Sequence, residues 1–343
     1  MFSNIINMFN TDTFFSYYIY TLIFIIGLVV GSFLNVVALR FLSGESIVFP
    51  PSKCPKCQTK LKWYDNIPIL AYILLLGKCR YCKKPISIQY PIVELFTGII
   101  FLLIFINQGF TVSTLMLWIL FSCGIVMCVT DFKEQIIFDS ISIPLIPIGL
   151  IYSFFNLGNV STTNISILNF NIPQTFTDGI IGVVLAFLIF EIISLISKIC
   201  IKQRAFGEGD TIIAMFFGAW FGWQVMLLTV LLAVLVQSIF TLPIMVANLI
   251  KSKDKKAITA FSTLFCCGVI PVILNQFHFL NNVTLSLYLI LAILITAIIS
   301  SMIFLRRMRE LNIFTFLPFG PALIVAGFIS ALYLSNAIAL FIA

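Results

Sequence analysis

Between Phe14 and Leu39 there is not one charged residue, and stretches of the same kind recur along the rest of the chain. Crossing the hydrocarbon of a bilayer takes roughly 20 apolar residues in a helix. Inside it no water is available to the backbone, so each run must satisfy its own hydrogen bonds as an α-helix does. Composition agrees: 61% hydrophobic, 10% charged and a mean hydropathy of +1.12 exceed what the core of a soluble chain of 343 residues needs. The expectation is an all-α, polytopic transmembrane helix bundle.

The formal net charge of +7 does not form a basic face for nucleic acid. It gathers in short clusters between apolar runs, the pattern that fixes membrane orientation. The largest cluster lies in residues 40–89, where Arg40, Lys53, Lys56, Lys60, Lys62 and Lys78 are among the cations standing against only Glu45 and Asp65. This excess puts that segment in the cytoplasm and the N-terminus outside. Residues 1–13 carry no Lys or Arg, so no cleavable signal peptide is read there.

The same segment holds Cys54-Pro55-Lys56-Cys57 and Cys79-Arg80-Tyr81-Cys82, separated by 21 intervening residues, a little over the common range for paired knuckles. Two knuckles of two thiolates complete the tetrahedral shell zinc prefers, and four sulfurs leave no open position, so the metal is structural. Neighbouring cations favour the thiolates. A polar loop of this length has little core of its own, and metal binding supplies folding energy. The alternative is a pair of redox or unliganded dithiols. The other five cysteines lie in or beside apolar runs and read as packing residues, and the single His278 as an interfacial one.

In order, the spans are expected near 14–39, 92–106, 111–129, 141–156 and 179–197, then a short sixth and a longer seventh within 211–250. A further pair follows at 258–277 and 284–305, then a last span at 318–341, ten in all with every basic cluster on one side. The chain thus divides into a first span (1–40), a four-cysteine cytoplasmic loop (41–89) and a helix bundle (90–343). Gly27 and Gly31 make a small-x-x-x-small ridge for close helix packing. Pro144 and Pro147 predict a kinked fourth span, Trp220 and Trp223 an outer-interface belt. Glu191, inside the fifth span, needs a helix partner or water.

Acids at the edge of hydrocarbon are the candidates for chemistry. Asp131 ends the third span, and Gly207-Glu208-Gly209-Asp210 opens the sixth, with two glycines that allow close approach of another chain. Two carboxylates held together cannot both ionise easily, so a pair shares one proton; one acid then activates water while the other protonates a peptide carbonyl. A Ser/His/Asp set is unavailable because the one histidine falls on the far side, and a closed thiolate shell is no hydrolase centre. Asp139 competes with Asp131, and periodicity and charge leave that choice open. Glu94, at the start of the second span, is on its own account a first-turn acid favoured by the helix dipole.

These residues together resemble a known family. Gly31-Ser32-Phe33-Leu34-Asn35-Val36-Val37 with Arg40, the two C-x-x-C knuckles, Asp65-Asn66-Ile67-Pro68 and Tyr90-Pro91 with Glu94 occur in the order seen in bacterial type IV prepilin leader peptidases. So do Asp131, Gly-Glu-Gly-Asp at 207–210 and Pro318-Phe319-Gly320-Pro321. The resemblance implies Asp131 and Asp210 as the catalytic aspartates, with Gly207 and Gly209 supporting. It implies removal of a basic leader from prepilins or pseudopilins at the cytoplasmic face of the bacterial inner membrane. By resemblance alone it also implies N-methylation of the new N-terminus with S-adenosylmethionine, for which Glu94 and Asp65 are the candidate residues. Since the cysteine loop is itself basic, membrane lipids or local acids are expected to mediate the leader's approach. Two departures stand out: Phe138 occupies the place usually held by proline, and the helix pair 258–305 looks additional. The competing readings are another G-x-G-D intramembrane aspartic protease and a non-enzymatic membrane scaffold docking a partner through the zinc loop.

Overall fold

A computed structural model describes residues 13–49, 51–155, 164–167, 170–202, 204–252, 254–263, 296, 300, 303 and 318–334. The chain falls into two compact units: one holds residues up to 188 together with 208–233 and 318–343, the other residues 189–207 and 234–317. The sites below lie in the first unit.

Uncharged runs become long helices. They are α1 (Thr13–Ser43), α3 (Gln89–Gln108), α4 (Val112–Glu134), α7 (Gln174–Ile201) and α8 (Glu208–Ser252), the five described helices long and apolar enough to cross a membrane. A much shorter α2 (Leu70–Leu74) sits between α1 and α3. The fourth expected span is two pieces, α5 (Asp139–Ser142) and α6 (Leu145–Phe154), interrupted at Pro144 as its missing amide requires. After it, residues expected only as an external loop carry an antiparallel hairpin, β1 (Asn164–Ile167) with β2 (Phe170–Pro173). The helical bundle is as expected, with this one small β-hairpin beside it. The last described helix is α9 (Gly320–Ile329). The expected count of about ten is not met by the described residues, and the extra pair near 258–305 falls almost wholly outside them, as does His278.

The expected sixth and seventh spans are one helix by hydrogen bonding, broken at Gly222, whose φ of +82° only glycine adopts freely. Trp220 is corrected from interface belt to interior. It is buried, donates Nε1–H to the Leu145 carbonyl at 2.8 Å and stacks on Tyr152.

In the first unit α1 packs along α3 and α4, α3 on α4, and α4 on α9. The small-residue ridge expected on α1 meets its counterpart: a Cβ on Gly27 would lie 2.7 Å from Gly98 Cα, and one on Gly31 2.8 Å from Glu94 Cα. Backbones approach this closely only without side chains between them. Asn35, fully buried on the same helix, donates to the Tyr90 carbonyl at 3.4 Å and accepts from Gln89 at 3.4 Å, tying α1 to the start of α3. The other end of the core is aromatic, with Phe121 of α4 edge-on to Phe328 of α9 at 5.2 Å. In the second unit Glu191 pairs with Arg204 at 2.5 Å, a residue outside the helices where a helix partner or water was expected.

Because the α1–α3 approach leaves no room for a side chain, Gly31→Val should wedge the pair apart at a cost of about 1–3 kcal/mol. A lowered melting midpoint of the detergent-solubilised chain would report it; an unchanged midpoint would contradict the packing.

Candidate functional site

Two places in the first unit collect chemically capable side chains. One is where α4 ends, α8 begins and α9 begins.

Asp131 lies in the last turn of α4 and is only 6% exposed; its Oδ2 has no hydrogen-bond partner among the described residues. Over it stands Gly320, in the first turn of α9, where an added Cβ would come within 2.5 Å of that oxygen. From the other direction Gly209 approaches Ile137, in the loop after α4; a Cβ there would lie 2.6 Å from the Ile137 Cβ. Ile137 Cδ1 in turn is 3.4 Å from the Gly320 Cβ position. Ile137 is thus the hub that brings the end of α4, the Gly-Glu-Gly-Asp stretch and the Pro-Phe-Gly-Pro stretch to one locality. Asp210, 9% exposed and in the first turn of α8, is carried there with Gly209. Gly207 precedes the helix, and its neighbour Glu208 is exposed.

Burial separates the two acids that sequence alone left level. Asp139 is exposed and opens α5, an ordinary first-turn carboxylate, whereas Asp131 is enclosed. Phe138, in the place of the expected proline, packs its ring 5.3 Å from that of Phe41 near the end of α1. That contact fastens the loop by packing where a proline would stiffen it covalently. Neither Ile137 nor the Phe41–Phe138 contact had any signal in the sequence, since an apolar residue in an apolar chain is unmarked.

The second place is the cysteine segment. Cys54, Cys57, Cys79 and Cys82 bring their four sulfurs within 4.8 Å of one another, a cluster that can hold a metal ion. The two knuckles are built alike. Cys54 N–H bonds the Thr59 carbonyl and Cys79 N–H the Lys84 carbonyl; Gln58 N–H bonds the Cys54 carbonyl and Lys83 N–H that of Cys79. Antiparallel bridges Lys53–Lys60 and Lys78–Pro85 close each loop. Gln58 and Lys83, each just after a second cysteine, both adopt φ of +58°. Hydrogen bonds from Thr59 pull the Cys57 thiol down to about 6, so a thiolate is at hand near neutrality.

Asp65 ties the second knuckle to the turn that follows the first. Its side chain is 3% exposed; Oδ1 accepts from Arg80 Nε at 2.7 Å, and Oδ2 from Tyr81 hydroxyl at 3.0 Å and Lys62 N–H at 3.2 Å. Burial alone would raise its pKa, but these donors outweigh it and hold the carboxyl below its ordinary value. Glu94, buried near the start of α3, accepts the Ile69 N–H at 2.7 Å. Asp65 and Glu94, which lie far apart in the sequence, line one cavity of about 830 Å3 with Ser32, Arg40, Tyr72 and Lys133.

A membrane-embedded helical bundle with two enclosed aspartates at one helix junction and a four-thiol module between its first two long helices is the class this geometry defines. Residues 25–108 match the model of the Bacterial Peptidase A24 N-terminal domain, and residues 118–242 that of the Type IV leader peptidase family. The Klebsiella pneumoniae protein named "Prepilin leader peptidase/N-methyltransferase" is 32% identical over 217 residues, covering 62% of this chain and 89% of that one. Proteins of the same name from Myxococcus xanthus and Pectobacterium carotovorum subsp. carotovorum are 33% identical over 211 residues and 29% over 279. Those matches cover 62% of this chain and 58% of the Myxococcus protein, and 74% and 92% for the Pectobacterium one. The chain belongs to the type IV prepilin leader peptidase family. No solved structure matches it.

Asp65 generates a pH test. Its folded pKa is depressed, so its contribution is complete above the ordinary carboxylate range near 4 and is lost as pH falls through and below it. Thermal melts of the full chain should therefore show a stability loss on acidification that is smaller in Asp65→Asn, itself already weakened at pH 7. Parallel pH profiles for the two proteins would remove Asp65 as the coupling residue.

Proposed function

We propose that this protein cuts the leader from type IV prepilins or pseudopilins, with Asp131 and Asp210 as the catalytic pair. The observation that carries this is the meeting of Asp131, Gly209 and Gly320 around Ile137. One aspartate takes a proton from water as its oxygen attacks the scissile carbonyl carbon. The other gives its proton to the carbonyl oxygen and so stabilises the tetrahedral intermediate. On collapse, the aspartate that took the water's proton gives it to the leaving amine nitrogen as the C–N bond breaks, and the other takes back a proton from the tetrahedral hydroxyl, so the apparent pKa values belong to the pair. Gly207 and Gly209 keep the approach to α8 free of side chains. The reaction lies at the cytoplasmic face of a bacterial inner membrane, with the N-terminus outside and the cysteine segment inside, as the basic clusters favour.

The four cysteines fit zinc. A tetrahedron of sulfurs about 2.3 Å from a metal has edges of about 3.8 Å, and the Cys54 and Cys82 sulfurs are 4.0 Å apart. Bound zinc would neutralise the clustered thiolates and lock the two knuckles together. S-adenosylmethionine, the donor we assign to N-methylation, supplies an electrophilic methyl group, and the cavity bordered by Asp65 and Glu94 has the volume of a small-molecule site. Glu94 is the stronger polar anchor there, because both oxygens of Asp65 already accept from Arg80, Tyr81 and Lys62.

Co-expression with a prepilin and mass measurement of the pilin N-terminus reports cleavage and methylation together. Asp131→Asn and Asp210→Asn should each slow cleavage by about 10²–10⁴-fold with insertion intact, and Gly320→Ala, which crowds the Asp131 carboxylate, should slow it less. Normal processing in either aspartate variant would end the assignment.

For the metal, the purified chain should carry one zinc, with Cys54→Ser plus Cys79→Ser losing it and exposing the loop to protease. Unchanged metal content would refute the site.

A further inference from the structure

Not all of the cysteine segment is polar. From Ile67 to Gly77 there is no charged residue, although Asp65 precedes this stretch and Lys78 follows it. It contains α2, and both ends of that short helix are held in uncommon backbone conformations. Ile69 has φ +59° and ψ −50°, Leu76 has φ +51° and Gly77 φ +68°. For a β-branched residue such as Ile69 this is costly and persists only where surrounding contacts impose it. The effect is to sort the side chains. Ala71 is buried, Tyr72 and Leu75 line the cavity, and Leu70, Ile73, Leu74 and Leu76 point outward, the last two 80% and 84% exposed.

The depth of this segment is set by a hydrogen bond. Ile69 N–H donates to Glu94 Oε2 at 2.7 Å. Glu94 lies five residues inside the candidate span Gln89–Gln108, about 7–8 Å along its axis from the first residue. The start of α2 is therefore level with the interior of a membrane-spanning helix, not with a loop beyond its end. Near that level α1 and α3 expose Phe33, Ile92 and Leu95, side chains as apolar as the outward ones of α2. Lys53, Lys60, Lys62 and Lys78 flank the stretch in sequence and match anionic headgroups.

We propose that residues 67–77 are immersed in the headgroup and upper acyl region of the bilayer, and that this contact seats the four-thiol module on the membrane. Amphipathic segments bury their apolar face about 5–10 Å into that region, the depth the Glu94 bond requires. The occupant of the exposed leucine face is lipid, not a second copy of the chain or a substrate helix. The module is then held by three attachments: the end of α1, the start of α3 and this immersed segment. The floor of the cavity becomes a membrane-supported surface. The inference stands on the membrane-spanning helices and does not need the chain to cut prepilins.

The test uses the unmodified full chain in vesicles of phosphatidylethanolamine and phosphatidylglycerol, labelled by carbenes from a bilayer-dissolved diazirine or from a water-soluble one. Peptides covering 67–77 should take the bilayer reagent within about threefold of peptides from the middle of α1, and about tenfold above those covering 53–60. The water-soluble reagent should give the reverse order. In Leu74→Glu plus Leu76→Glu, labelling of 67–77 by the bilayer reagent should fall to the level of 53–60 while α1 labelling persists. If 67–77 in the unmodified chain labels from the bilayer as weakly as 53–60, or from water as strongly, the segment is not immersed. If its bilayer labelling is already blocked in chain–chain oligomers, the face belongs to a second copy and the proposal fails.

Discussion

A carboxylate can be enclosed in a membrane protein only if the elements around it give up their own volume. At Asp131 two glycines do so: Gly320 stands where a Cβ would touch Oδ2, and Gly209 stands where one would strike Ile137. Both sit in the first turns of helices that begin at this locality, α8 and α9. The positive ends of helix dipoles thus collect around acidic side chains, the arrangement in which negative charge is best tolerated. The rest of the first unit serves that meeting. α1 and α3 are close-packed through glycine contacts with α4 against both, and the edge-on contact of Phe121 with Phe328 helps set how α9 lies on α4.

Much of this was written in the sequence, in proportion to how strongly each feature violates the surrounding chemistry. Charges in an apolar chain are conspicuous, so Asp131, Asp210, Glu94 and Glu191 could be singled out, and the two cysteine pairs stood apart by spacing alone. Long spans were legible because a period is hardly needed when every face is apolar. The same uniformity hid the rest. Ile137 is one isoleucine among many, and only three-dimensional contact makes it the hub. Trp220 reads as an interface residue from position, but its indole N–H is satisfied by the Leu145 carbonyl, which no local pattern encodes. Periodicity and charge left Asp131 and Asp139 level, and only the family resemblance favoured Asp131; that Asp131 is enclosed and Asp139 exposed is a property of the packed bundle.

The cysteine segment was legible as a metal module but not as part of the bundle. Its cations drew attention to water, while Glu94 ties it inward by accepting the Ile69 amide. Asp65 is instructive in the same way. Read as a candidate ligand for a cofactor, it is spent on Arg80, Tyr81 and Lys62, and its depressed pKa records that commitment. With three protein donors on its two oxygens, Asp65 has little acceptor capacity left for a guest, so the proposed cofactor role falls more readily to Glu94.

The two sites are not independent pieces of the chain. Lys133 lies two residues beyond Asp131 on α4 and lines the cavity that Asp65 and Glu94 also border. Phe41, at the end of α1, is packed on Phe138 of the loop that carries Ile137, and Arg40 beside it lines the same cavity. One helix end and one loop therefore reach both the enclosed aspartate and the cavity. On the roles proposed for Asp131 and for the cavity, a newly formed amine would have only the breadth of that loop to cross. On the same proposal, rigid attachment of the knuckles has a chemical consequence, because a module free to swing would change the distance between cleavage and methylation.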